Sequence, residues 1–86
     1  MYRVAVSTTA ARYLRNMPTK EGERLREALR SLEEDPFHSR SGADIVVLRG
    51  ARGRHRLRIG PWRVVYEVRD RGVRILEVFR RGRGYR

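Results

Sequence analysis

Arginines at 54, 56 and 58 alternate with His55, Leu57 and Ile59 in the run R-H-R-L-R-I-G-P-W-R-V-V-Y-E-V. A strand sends successive side chains to opposite faces, so this segment presents a row of guanidinium groups on one side and a mostly apolar row on the other. After the Gly60-Pro61 break, Val64, Tyr66 and Val68 share a face, which turns Arg63 towards the arginine row. The tail R-R-G-R-G-Y-R adds Arg80, Arg81, Arg83 and Tyr85. Guanidinium forks match pairs of phosphate oxygens. Gathered around one phosphodiester, they would neutralise it and stabilise the charge that builds up when it is attacked. The acids show no metal-binding spacing near these arginines, His38 and His55 are too far apart to suggest a ligand pair, and there is no cysteine. The expected site therefore uses no metal and no cofactor. A metal-free site of this kind suits RNA, whose 2′-hydroxyl serves as an internal nucleophile and leaves a 2′,3′-cyclic phosphate.

Plainer readings stand beside these. Arg54, Arg56 and Arg58 also fit the solvated side of a half-exposed sheet, and Arg63 could pair with Glu67 along its own strand. Tyr66 is expected in the core with Val64 and Val68, Trp62 as a packing residue at a strand start, and His55 as an inward-facing core histidine. His38 falls in a loop with no evident partner. Tyr85 reads either as a loose end or as a catalytic phenol.

The charge balance favours an anionic partner. The chain has 86 residues, with 21 basic side chains against 10 acidic ones for a net charge of +11, and Lys20 alone of the basic set is a lysine. Such an excess predicts salt-sensitive attraction to nucleic acid or to an acidic protein. A hydrophobic fraction of 40% supports one small core, so residues 1–86 are expected to form a single domain. The longest apolar run, Ile45 to Leu48, is far too short for a membrane span, and the first residues lack a signal-peptide core. A soluble, cytoplasmic protein without a membrane partner is expected.

Seven elements must position the arginines. Tyr2 to Val6 alternates as a short strand. Ser7, Thr8 and Thr9 suit a helix start before Ala10 to Asn16, and Met17-Pro18 ends that helix. Thr19 is expected to cap a longer helix whose Leu25, Ala28, Leu29 and Leu32 form one apolar stripe before Glu33 to Pro36 stop it. Strand-like runs follow at Asp44 to Arg49, Arg54 to Gly60, Trp62 to Arg69 and Gly72 to Phe79, separated by turn residues. The expected fold is α+β: an N-terminal strand and a two-helix hairpin packed on one face of a mainly antiparallel four- to five-stranded sheet. The other face is left to the arginines.

The segments L-R-G, H-R-L-R-I-G-P-W-R-V-V-Y-E-V-R-D and I-L-E-V-F-R-R-G-R-G-Y closely resemble the RelE/ParE superfamily of toxins from type II toxin–antitoxin systems. The resemblance spans nearly the whole chain. Its RelE-like members cut messenger RNA in the ribosomal decoding site, and its ParE-like members inhibit DNA gyrase. The RelE-like pattern implies an RNA-cleaving site at Arg56 and Arg58, then Arg63, then Arg81 and Tyr85; Arg54, Arg80 and Arg83, read from the open arginine face, are expected as further RNA contacts. Tyr85 points to that branch, since ParE-like toxins generally lack a terminal tyrosine. Arginine stands at 56 and 58 where the best-studied pattern has lysine, and arginine stays protonated. Phosphate binding therefore falls to the arginines and proton transfer to Tyr85. The resemblance implies a ribosome-dependent messenger RNA endoribonuclease held by a cognate antitoxin in a hetero-oligomer. A gyrase inhibitor and a non-catalytic RNA- or partner-binding module are the alternatives.

Overall fold

Residues 1–82 are described by a computed structural model, so Arg83 and Tyr85 lie outside the described residues. β3 (Arg54–Ile59) and β4 (Trp62–Arg69) form a hairpin around Gly60-Pro61, with Arg58 opposite Arg63 and Leu57 opposite Val64. β2 (Asp44–Val47) lies antiparallel on the outer edge of β3 and stops short of Arg49. β5 (Gly72–Arg80) pairs with β4, and β1 (Arg3–Val6) runs parallel to β5. The strand order is β1-β5-β4-β3-β2. A parallel pair needs a crossover longer than a turn. The chain leaving β1 supplies one, passing through both helices and strands β2 to β4 before it returns as β5. The α+β arrangement expected from the sequence is the one observed.

Both helices bury an apolar stripe against one face of the sheet. In α1 (Thr8–Arg15) the buried residues are Ala10 and Leu14; in α2 (Thr19–Ser31) they are Gly22, Leu25 and Leu29. Ser7 caps α1: its hydroxyl accepts from the Ala10 amide at 3.1 Å and donates to the Leu76 carbonyl of β5 at 3.0 Å. Thr19 does not cap α2. Pro18 holds the N-cap position with φ −53° and no side-chain cap bond, and Thr19 is the first helical residue. The proline ring presets an extended approach to the helix, and the Pro18 carbonyl accepts the Gly22 amide at 2.8 Å.

Leu57, Ile59, Trp62, Val64, Tyr66, Val73, Ile75 and Val78 meet the helices as one buried cluster. Tyr66 is fully buried, and its hydroxyl donates to the Pro36 carbonyl at 2.7 Å. Burial raises the pKa of this phenol, because a phenolate would lose its hydration there. His55 stacks on Tyr66 at 5.4 Å, and its Nδ1 lies 2.9 Å from the Gly53 carbonyl, so it is the core histidine expected from its parity. Tyr66→Phe keeps the ring but strands the Pro36 acceptor. The expected loss is ~1–3 kcal/mol of unfolding free energy, read from urea denaturation; an unchanged midpoint would mean that water reaches that carbonyl.

One irregularity decides which side chains reach the open face. The β4–β5 ladder pairs Tyr66 with Ile75 and Val65 with Glu77, leaving Leu76 as an extra residue. A single-residue bulge reverses the facing of everything beyond it. Strict alternation from Val73 and Ile75 would bury the Glu77 carboxylate. With the bulge, Glu77 is exposed and Val78 joins the core. Phe79 lands opposite Arg63 on the arginine side, and Arg80 lands opposite Trp62 on the helix side.

Candidate functional site

The site is a row of register partners across four strands. Asp44 of β2 lies opposite Arg58 of β3, Arg58 opposite Arg63 of β4, and Arg63 opposite Phe79 of β5. Neighbouring strands stand about 4.8 Å apart, so side chains in such a row converge on one small patch. Arg56 belongs to the same face, one strand repeat along β3. Just beyond β5, the Arg81 amide donates to the Pro61 carbonyl at 2.7 Å, which ties the chain to the β3–β4 turn and aims Arg81 at the row. Arg56, Arg58, Arg63, Phe79, Arg81 and Gly82 enclose a cavity of about 140 Å³. A second hollow of about 380 Å³ continues from Arg58, Arg63 and Arg81 to Asp44 and Gly42.

Arg63 is the centre of this electrostatic arrangement. Its Nη1 donates to the Gly60 and Trp62 carbonyls, each at 3.1 Å, which holds the guanidinium over the hairpin end. It does not pair with Glu67, whose carboxylate accepts from Arg69 at 3.4 Å. Its pKa is lowered, first by desolvation and then by the charges of Arg58, Arg81 and Arg56. Arginine nevertheless remains charged in water-accessible sites. Three cations close enough to disfavour the charge of Arg63 do not stabilise a fold. An anion placed among them relieves the repulsion.

The other members of the set are engaged differently. Arg58 donates to the Asp44 carboxylate in an ion pair that is about half exposed on both sides. The Arg56 Nε is buried without a hydrogen-bond partner. Phe79 is buried yet lies outside the helix-side core, so it forms an apolar floor beneath the guanidinium groups.

The sequence-level set is thus divided by the structure. Arg56, Arg58, Arg63 and Arg81 come together. Arg54 shares their face but sits at the far end of β3 opposite Glu67, away from the cavity. Arg80 is not with them: its guanidinium carbon lies 5.3 Å from the centroid of Trp62 on the helix side, where the Leu76 bulge turned it. Trp62 is a packing residue, buried and edge-on to Tyr13 at 6.0 Å. His38 does have a partner, the Asp35 carboxylate at 3.1 Å, far from the arginines in sequence and on a different loop. That carboxyl is held below its usual range, chiefly by the Phe37 amide that donates to it. Asp44 and Phe79 are the residues that sequence reasoning passed over. Centring the β2–β3 hairpin on Ala51 would have set Asp44 opposite Arg58; no local signal announced the bulge that delivers Phe79.

Among the described residues, no cluster of three or more His, Asp or Glu side chains is placed to hold a metal ion, and no helix is long and apolar enough to cross a membrane.

Residues 5–85 match the family of ParE toxins of the type II toxin–antitoxin system parDE. No curated protein sequence is matched. Among solved structures, the fold is similar to a chain of the archaeal RelE–RelB complex of Pyrococcus horikoshii, with 31% identity, a TM-score of 0.82, and 96% of this chain and 98% of that chain covered. The RelBE2 toxin–antitoxin complex of Mycobacterium tuberculosis matches at 28% identity and a TM-score of 0.73, over 93% of this chain and 98% of that one. The isolated RelE toxin of Escherichia coli shares the fold at 22% identity and a TM-score of 0.78, over 98% of this chain and 88% of that one. With four arginines converging on an anion-sized cavity and this fold around them, the chain belongs to the ParE toxin family within the RelE/ParE superfamily: it is a RelE-like toxin of a type II toxin–antitoxin system.

Proposed function

We propose that this toxin is a metal-independent, ribosome-dependent endoribonuclease that cuts messenger RNA during translation in the cytoplasm, and that a cognate antitoxin restrains it. The observation that carries the reading is the convergence of Arg56, Arg58, Arg63 and Arg81 on a cavity of about 140 Å³. Arg63 and Arg58 straddle the scissile phosphate, and Arg56 and Arg81 close on it from either side. As the 2′-oxygen attacks, the phosphorus gains a fifth oxygen and the group gains negative charge. Donors already fixed in place stabilise that charge without reorganising. Phe79 offers an apolar surface to the sugar or base beside the phosphate. Tyr85 is the assigned proton carrier for the departing oxygen. The ribosome supplies the remaining orientation of the substrate. Arg54 extends the basic face for flanking nucleotides, and Arg83 is assigned as a further RNA contact.

An antitoxin partner is supported by the relatives from Pyrococcus horikoshii and Mycobacterium tuberculosis, both of which are toxin–antitoxin complexes. A segment carrying acidic and apolar side chains would cover the arginine face and hold by contacts that salt does not screen. Because counterions are released when the arginines take up phosphate charge, the logarithm of the RNA association constant should fall as the logarithm of salt concentration rises. The antitoxin complex should show a shallower dependence. Equal slopes for the two would remove charge as the basis of RNA capture.

The test of activity is induced expression with mapping of message ends. New ends within translated frames, carrying a 2′,3′-cyclic phosphate and appearing only on ribosome-engaged messages, are the expected result. The family match to ParE toxins keeps a second reading, in which the same fold binds DNA gyrase and does no chemistry. Loss of supercoiling activity with intact messages would establish that reading instead.

A further inference from the structure

We propose that Asp44 is the proton acceptor for the attacking 2′-hydroxyl, a role that rests on the nuclease reading above. Metal-free cleavage needs a group that removes the 2′-proton, and none of the clustered arginines accepts one. Among the described residues, Asp44 is the acid that lines the arginine hollow, together with Arg58, Arg63 and Arg81. Its place in the fold is firmly held. On one side, Ala43 and Arg40 exchange backbone hydrogen bonds at 2.8 and 2.9 Å. On the other, the Ile45 amide donates to the Ser39 hydroxyl at 2.8 Å. The Arg40 guanidinium is itself occupied by the Ser31 and Asp35 carbonyls, so it does not compete for the carboxylate.

The charged groups that face Asp44 are Arg58 from β3, Arg63 from β4 and Arg81 beyond β5. The ion pair with Arg58 is too exposed to add much stability; pairs of that kind contribute ~0–1 kcal/mol. Its consequence is geometric. When a phosphate enters, Arg58 has a second anion to bind, which frees the carboxylate beside the ribose of the same nucleotide. Asp44 takes the 2′-proton, the 2′-oxygen bonds to phosphorus, and the bond from phosphorus to the 5′-oxygen breaks. That oxygen leaves with a proton from water. The products are a 2′,3′-cyclic phosphate and a 5′-hydroxyl, with no redox change and no further reactant.

The experiment compares wild type, Asp44→Asn and Asp44→Glu in single-turnover cleavage of a programmed ribosome, with toxin–ribosome affinity measured in parallel. Asparagine keeps the size and a hydrogen bond to Arg58 but cannot take the proton. Asp44→Asn should slow cleavage at saturating toxin ~10²-fold or more, with affinity unchanged or tighter because the phosphate no longer competes with a carboxylate. Asp44→Glu should recover part of the rate. If Asp44 only positions Arg58, Asp44→Asn, which keeps that hydrogen bond, will hold the saturated rate, and the assignment fails. A wild type that cuts beside an Asp44→Asn that cuts equally fast overturns Asp44 alone. A wild type that leaves messages whole overturns the nuclease reading and this role with it.

Discussion

Arg81→Ala is expected to lower message cleavage in a translation extract by ~10²–10³-fold, the usual loss for one preorganised donor to a developing oxyanion, while unfolding by urea stays at the wild-type midpoint. The separation of the two readouts follows from how Arg81 is held. Its position depends on the main-chain bond to the Pro61 carbonyl, which alanine retains. Its side chain is exposed and makes no hydrogen bond or ion pair among the described residues. Removing it also removes one of the charges that depress the Arg63 pKa, so stability should stay level or rise slightly. Arg63→Ala is a poorer probe, since that guanidinium also braces the hairpin through the Gly60 and Trp62 carbonyls. Arg81→Lys should fall between wild type and alanine, because an ammonium keeps the charge and loses the planar fork. Undiminished cleavage by Arg81→Ala would take that residue, and the convergence argument, out of the mechanism.

Gly53→Ala should be the most damaging small substitution to the fold. Gly53 has φ +77°, in the left-handed region that costs an L-residue ~1–3 kcal/mol. A Cβ built there would stand 2.6 Å from the Val68 carbonyl oxygen, a backbone atom with no rotamer to yield. The same glycine carbonyl accepts the Val68 amide at 2.9 Å and lies 2.9 Å from His55 Nδ1. Strain and clash therefore act at the point where β3 is registered against β4. A loss of about 3 kcal/mol or more is expected from a total of ~5–15. It should show as a lowered urea midpoint, with cleavage failing because the arginine row loses its register. A midpoint within error of wild type would mean that the β3 approach shifts freely.

The arginine face was legible because it depends only on alternation. Arg54, Arg56 and Arg58 cannot share a strand with the apolar His55, Leu57 and Ile59 row and face the same way. Gly60-Pro61 then returns the chain so that Arg63 meets Arg58. Tyr66, Trp62 and His55 were readable for the same reason: large rings on the inward parity have nowhere to go but the core. The start of α2 was less legible, since Thr19 is a good cap in isolation while Pro18 already satisfies the approach to that helix.

What the residue order determined by itself is the chemistry on offer and the local geometry of each hairpin, because alternation and turn residues act within a few positions. Tertiary structure alone decided the membership of the site. The Leu76 bulge relieves β5 of burying Glu77, anchors its carbonyl to Ser7 at the head of α1, and in doing so sends Phe79 beneath the arginines and Arg80 over Trp62. Pairing of β2 with β3 likewise brought a carboxylate to Arg58. Facing in a strand is a two-valued quantity, so one inserted residue, chosen by packing far along the chain, is enough to exchange a floor for a cation.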